Sequence, residues 1–132
     1  MKRALVVEGG GVRADAVMGA LAAAGLEAVL VPSRPAARPL VEAGAVAVVV
    51  GMGVGEGRAV LGTWPAPVRR ACVVAALGGD DPGGMQAFLL GVDLVLPSSA
   101  EGRLGDAVVA ALASKRLLIA PLDAAAAARL GA

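Results

Sequence analysis

Five short Val- and Leu-rich runs recur along this chain, each ending at a glycine or proline break and followed by a longer helix-forming stretch. Brief apolar runs of this kind suit strands buried on both faces, and the alternation constrains the fold more than any single motif does. Arg3 to Glu8, Glu27 to Val31, Ala45 to Val50, Arg69 to Ala76 and Asp93 to Leu96 read as the strands. Between the first two, Val12 to Ala24 places Ala14, Val17, Met18 and Leu21 at helical spacing, with Arg13 and Asp15 outside that stripe. Gly25 then closes the helix. Pro32 to Pro39 is a turn leading into a second helix that ends over Leu40 to Gly44. A short third helix falls near Arg58 to Gly62, a fourth over Gly84 to Leu90, and a fifth over Glu101 to Ala113 with Leu104, Val108, Ala111 and Leu112 on one face. Strict βα alternation implies a parallel sheet with right-handed crossovers and helices on both sides: a doubly wound α/β fold.

At 132 residues the chain suits one domain, since a single core usually serves roughly 100–150 residues. Apolar residues make up 58% and aromatics only 2%, so the core has to be built from Val, Leu and Ala. A net charge of +1 without a basic run leaves no footprint for nucleic acid. With no Tyr, one Phe (Phe88) and one Trp (Trp64), base-stacking platforms are missing too. Cys72 lies in a Val-rich run and reads as a buried small hydrophobe. A single Cys allows no internal disulfide, in keeping with a reducing cytoplasm.

The high apolar content raises the question of a membrane. The longest apolar runs are interrupted by Gly, Glu, Arg or Pro well before the ~20 residues that a spanning helix needs. Met1-Lys2-Arg3 followed by apolar residues has the look of a signal peptide, but Glu8 and three glycines end that run after Ala4 to Val7. The expectation is a soluble, cytoplasmic protein whose hydrophobicity belongs to buried strands. Residues 3–114 form the expected domain, and 115–132 an extension. Within it, Leu117 to Leu122 reads as an extra strand or an extended tail. Asp123 to Leu130 reads as a short helix opened by an Asp cap, or its Ala124 to Ala128 run as the start of a linker.

In an open α/β sheet, ligands and chemistry sit at the carboxyl ends of the strands. Those junctions read Val6-Val7-Glu8-Gly9-Gly10, Val48-Val49-Val50-Gly51-Met52, Val73-Val74-Ala75-Ala76-Leu77 and Leu94-Val95-Leu96-Pro97-Ser98. Three of the four carry Gly, Ala or Met where a reactive group would be needed. The chain has no His, which removes Ser-His and Cys-His catalysis and imidazole metal sites. Asp80-Asp81 reads as a solvated loop pair before Pro82.

Several phrases resemble the receiver domain of two-component response regulators. Arg3-Ala-Leu-Val-Val-Glu8 is similar to the first receiver strand, "ALAAAGLEAVL" over Ala20 to Leu30 to its first helix and second strand, and "ACVVAALGGDD" over Ala71 to Asp81 to its fourth strand and loop. Leu90-Gly91-Val92-Asp93-Leu94-Val95-Leu96-Pro97 is similar to the passage that leads through the fifth strand. The resemblance implies a flavodoxin-like five-stranded sheet in the order 2-1-3-4-5 and a bacterial signalling role. It also identifies what is missing. Of the paired acids only Glu8 is present, next to Gly9; Gly51 stands at the phosphoacceptor, Ala75 at the hydroxyl residue, Ser98 at the lysine and Val95 at the switching aromatic. An acyl phosphate cannot form on glycine, so the resemblance implies a pseudo-receiver with no cofactor and no metal. Function then falls to a protein partner or a homodimer. The expected surface is the fourth helix, fifth strand and fifth helix, carrying Gln86, Arg103 and Asp106 around the small residues Gly102 and Gly105.

Two other motifs compete. Gly9-Gly10-Gly11-Val12-Arg13-Ala14 matches the dinucleotide fingerprint G-x-G-x-x-A between a strand and a helix. The ribose-binding acid expected after the second strand is absent there, and Arg34 would instead suit a 2′-phosphate. The alternatives are a nucleotide-binding α/β protein or enzyme using that loop, and a plain tight turn. "VVEGGGVRA" also resembles the opening of patatin-like lipases, but Gly51-Met52-Gly53-Val54-Gly55 has the elbow's glycines without its serine.

Overall fold

A computed structural model of the chain describes residues 2–7, 12–31, 39–43, 46, 48–52, 65–77 and 93–131. Five strands, β1 (Arg3–Val7), β2 (Glu27–Val31), β3 (Val48–Met52), β4 (Val73–Leu77) and β5 (Leu94–Leu96), form one sheet in the order β2-β1-β3-β4-β5. Every pairing is parallel. The expected doubly wound order is therefore present. The helices are α1 (Val12–Ala23), α2 (Ala66–Arg70), α3 (Leu104–Ile119) and α4 (Ala124–Gly131), with a helical turn over residues 39–42 and a 3-10 turn (Ser98–Arg103) leading into α3.

The two-residue period of the strands sorts their side chains between two apolar layers. Ala4, Val6, Val48, Val50, Val73, Ala75 and Leu77 face α1 and α3 and pack with Val17, Leu21, Leu104, Val108 and Leu112. Leu5, Val7, Val31, Val49, Cys72 and Val74 face the opposite way and pack with Val41 and Val68. The buried side chains described are all apolar, drawn from Val, Leu, Ala and Cys72, and Gly105 is buried with them. Each fully buried Val or Leu contributes on the order of 1.5–3 kcal/mol, which lets such a core dispense with aromatics.

The end of α1 shows how local sequence sets the geometry. The Leu26 amide donates to the Leu21 carbonyl at 3.1 Å and the Gly25 amide to the Ala22 carbonyl at 3.0 Å, with Gly25 at φ +87°. This is a Schellman cap, and only glycine takes that φ without strain. Leu21 and Leu26 are both buried beneath it, so the turn delivers the chain straight into β2.

Two boundaries differ from the sequence pattern. Arg69 and Arg70 belong to α2 rather than to the fourth strand. Pro65 caps that helix at φ −69° and Pro67 lies in its first turn, where a missing amide costs nothing. Residues 117–119 continue α3 instead of forming a strand or tail. Beyond them, α4 is a true helix: Asp123 Oδ1 accepts from the Ala126 amide at 3.0 Å, the cap expected of it. Leu130 of α4 is 1% exposed and belongs to the same core layer as Val73 and Leu112. The expected helices near residues 58–62 and 84–90 lie outside the described residues.

Candidate functional site

Parallel register lays residues of different strands in rows across the sheet. Val31, Val7, Gly51, Ala76 and Val95 form one such row near the carboxyl edge, and Leu30, Val6, Val50, Ala75 and Leu94 form the row behind it. Gly51 thus lies between Val7 and Ala76. Ala75, the residue expected to face a ligand there, is one step back and fully buried among Val6, Val50 and Leu77. Its side chain belongs to the α1/α3 layer. Neither Ala75 nor Ala76 carries a hydroxyl, and nothing in this row carries a carboxylate.

Ser98 opens the 3-10 turn directly after β5, behind Pro97. Arg103 occupies the N-cap position of α3 and Asp106 its first turn, both exposed. An acid there complements the positive end of the helix dipole. Gly102 is exposed as expected, but Gly105 is not on the outer surface. A Cβ on Gly105 would meet the Ala20 carbonyl oxygen and come within 2.7 Å of the Ala24 Cβ. The close approach that this glycine permits is therefore that of α1 to α3, inside the domain. Glu8, Gly9, Gly10, Gly11, Arg34 and Gln86 lie outside the described residues. Among the described residues no three His, Cys, Asp or Glu side chains gather as a metal site. Nor is any described helix long and apolar enough to cross a membrane.

The densest polar constellation described lies at the opposite, amino-terminal end of the sheet. Lys115 Nζ donates to the Arg69 carbonyl at 2.8 Å, the Cys72 carbonyl at 2.7 Å and Asp93 Oδ2 at 2.8 Å. Asp93 Oδ2 also accepts the Val74 amide at 2.8 Å, while the Asp93 amide donates to the Val74 carbonyl at 2.9 Å. An ammonium has three donors, and all three are used. The cluster ties α3 to the α2–β4 junction and to the start of β5, with no donor of Lys115 left for a ligand. One sequence signal pointed to it: Lys115 falls on the buried stripe of α3, seven residues after Val108 and three after Leu112. Beside it, burial pushes the Cys72 thiol up to about 12, with Asp93 adding to the rise and Lys115 opposing it. The thiol donates weakly to the Val68 carbonyl at 3.7 Å and is not a nucleophile.

No family model matches this sequence, and no curated protein matches it. Solved structures do. An atypical orphan response regulator, whose structure revealed a phosphorylation-independent regulatory mechanism, superposes with a TM-score of 0.64 at 18% identity, covering 84% of this chain and 95% of that one. A response regulator receiver domain from Clostridium thermocellum superposes with a TM-score of 0.68 at 19% identity, covering 89% of this chain and 99% of that one. Strand order, parallel register and these superpositions agree: the chain has the fold of response-regulator receiver domains.

Proposed function

We propose that the chain is a phosphorylation-independent signalling or scaffold module of receiver type, working through a protein-binding surface. The observation that supports this reading is the row Val7–Gly51–Ala76, in which both neighbours of Gly51 are apolar; the resemblance to receivers would set the acceptor at Gly51 and the hydroxyl near Ala75. Aspartyl phosphate chemistry needs a carboxylate nucleophile, and Mg²⁺ needs several oxygen ligands. In this reading Glu8, Gly9, Gly51, Ala75 and Ser98 are the degenerate counterparts of a phosphorylation site. Glu8 alone would hold a cation poorly. The phosphorylation-independent mechanism of the orphan regulator supports the idea that this fold works without the reaction. The binding surface is the one bearing Gln86, Arg103 and Asp106.

Intact-mass measurement after incubation with acetyl phosphate and Mg²⁺ tests the reading. The expected result is an unmodified chain. A stable adduct of one phosphate overturns it. Reversing charge at Arg103 and Asp106 together is expected to weaken partner capture with little change in Tm, since surface substitutions usually stay within about 0.5 kcal/mol.

A further inference from the structure

Three leucines stand out from the surface at one place. Leu117, Leu118 and Leu122 are 77%, 74% and 76% exposed, far above the next large hydrophobics described, Val109 at 44% and Leu30 at 39%. All three fall within Leu117-Leu118-Ile119-Ala120-Pro121-Leu122, where the end of α3 turns back into α4. Single exposed leucines are ordinary, but a cluster of this kind marks a contact site. The backbone of the turn is closed within itself. The Ala120 amide donates to the Arg116 carbonyl at 3.0 Å, and the Leu122 and Asp123 amides both donate to the Ile119 carbonyl at 2.8 Å. Pro121 has no amide, so no backbone donor from 120 to 123 depends on water. A segment that enters hydrocarbon has to meet that condition.

Charge decides which surface fits. Arg69, Arg70, Lys115, Arg116 and Arg129 surround the base of the turn, against the carboxylates of Asp93 and Asp123. Both carboxylates are already engaged: Asp93 is held by Lys115 at 2.8 Å, while Asp123 caps α4 and lies 4.0 Å from Arg70 Nε. The Arg116 guanidinium lies against Gly131, which brings the end of α4 that bears Arg129 alongside it. Neither Arg116 nor Arg129 has a carboxylate partner among the described residues. Leucines protruding above a surplus of positive charge suit the headgroup boundary of an anionic bilayer. A protein partner would need a groove shaped to these leucines, whereas lipid accepts a protruding turn of any outline. We propose that the α3–α4 turn docks the protein on an anionic lipid surface, with the leucines among the acyl chains and the arginines at the headgroups. This is peripheral docking, since no described helix is long and apolar enough to cross a membrane. It goes beyond the module reading and does not depend on it.

Flotation of the full chain with lipid vesicles tests the proposal. The chain should bind vesicles of phosphatidylcholine containing about 30% phosphatidylglycerol and remain free of pure phosphatidylcholine. Raising salt to about 1 M, where screening acts within about 3 Å, should release most of it. Leu118→Asn together with Leu122→Asn should abolish binding at an unchanged Tm, because both side chains are exposed in the free protein. Arg129→Gln should weaken binding about fivefold, the worth of one cation near such a surface. No binding to either vesicle, equal binding to both, or a leucine variant that binds as well as the natural chain overturns the proposal. So does a chain that ignores vesicles and forms dimers lost in the leucine variant, which would make the turn a protein contact. These outcomes leave the module reading standing, whereas a phosphate adduct would overturn that reading alone.

Discussion

Lys115 and Asp93, 22 residues apart in sequence, meet at 2.8 Å across the gap between α3 and the start of β5. The side chains are only 14% and 22% exposed, and the ammonium also closes two backbone carbonyls at the α2–β4 junction. This contact seals the amino-terminal end of the sheet. Lys115→Met keeps the length of the stem and removes all three donors, leaving Asp93 charged and half its bonds lost. The expected cost is about 1–3 kcal/mol, below that of a fully buried pair because water reaches Asp93. Thermal unfolding should show it as a Tm lower by several degrees, and an unchanged Tm would mean that the bonds contribute nothing net.

Two glycines should respond to alanine in opposite directions. Gly19 is exposed within α1, and nothing lies within 4 Å of where its Cβ would be. Gly19→Ala should stabilise the protein by about 0.5–1 kcal/mol through helix propensity. At Gly105 the new methyl group would collide with Ala20 and Ala24. Gly105→Ala should therefore cost about 1–3 kcal/mol as α1 and α3 are pushed apart. Denaturant midpoints for the pair test this, and equal shifts would refute the close packing.

Cys72 sets a pH dependence. Its folded value of about 12 lies above the ordinary 9.0, so the native state holds the proton more tightly than the unfolded chain does. The stability this provides is complete below about pH 9 and is lost as pH rises toward 12. The chain has no Tyr, so few other groups titrate in that window. Unfolding free energy between pH 8 and pH 11 should fall more steeply in the natural chain than in Cys72→Ala. Thiol reagents at pH 8 should label the protein only after denaturation.

Leu130 tests whether α4 belongs to the body of the fold. It is 1% exposed and packed in the layer of α1 and α3. Leu130→Ala should cost about 2–4 kcal/mol. Exposed Leu122, 76% accessible, should tolerate the same change within about 0.5 kcal/mol. If both substitutions are equally mild, α4 contributes little to the core.

Gly9, Gly10 and Gly11, which follow β1 in the sequence, are not expected to bind a nucleotide. Titration with NAD(P), ATP or GTP should leave Tm unchanged. A saturable shift with a micromolar Kd would instead favour the nucleotide-binding alternative built on Gly9, Gly10, Gly11 and Arg34.

The parallel sheet and the two-layer core were legible in the chain because strands buried on both faces need continuous apolar runs, and the βα alternation leaves a parallel sheet as the natural solution, whereas the strand order followed from the resemblance to receiver domains. Gly25 and Asp123 were legible for a related reason, since a cap is a contest among neighbouring backbone groups and is decided locally. The apolar make-up of the row Val7–Gly51–Ala76 was legible too, because it needs only the identity of the residues that end those strands. Tertiary structure alone decided the rest. The row that sets Ala76, not Ala75, beside Gly51 depends on strand register, which no single strand specifies. Gly105 was read as an outward small residue, yet which side of α3 it occupies is settled by where α1 packs. Lys115 and Asp93 carried opposite charges in segments with no local relation. Only the packing of α3 against the β4–β5 end of the sheet brings them within a hydrogen bond.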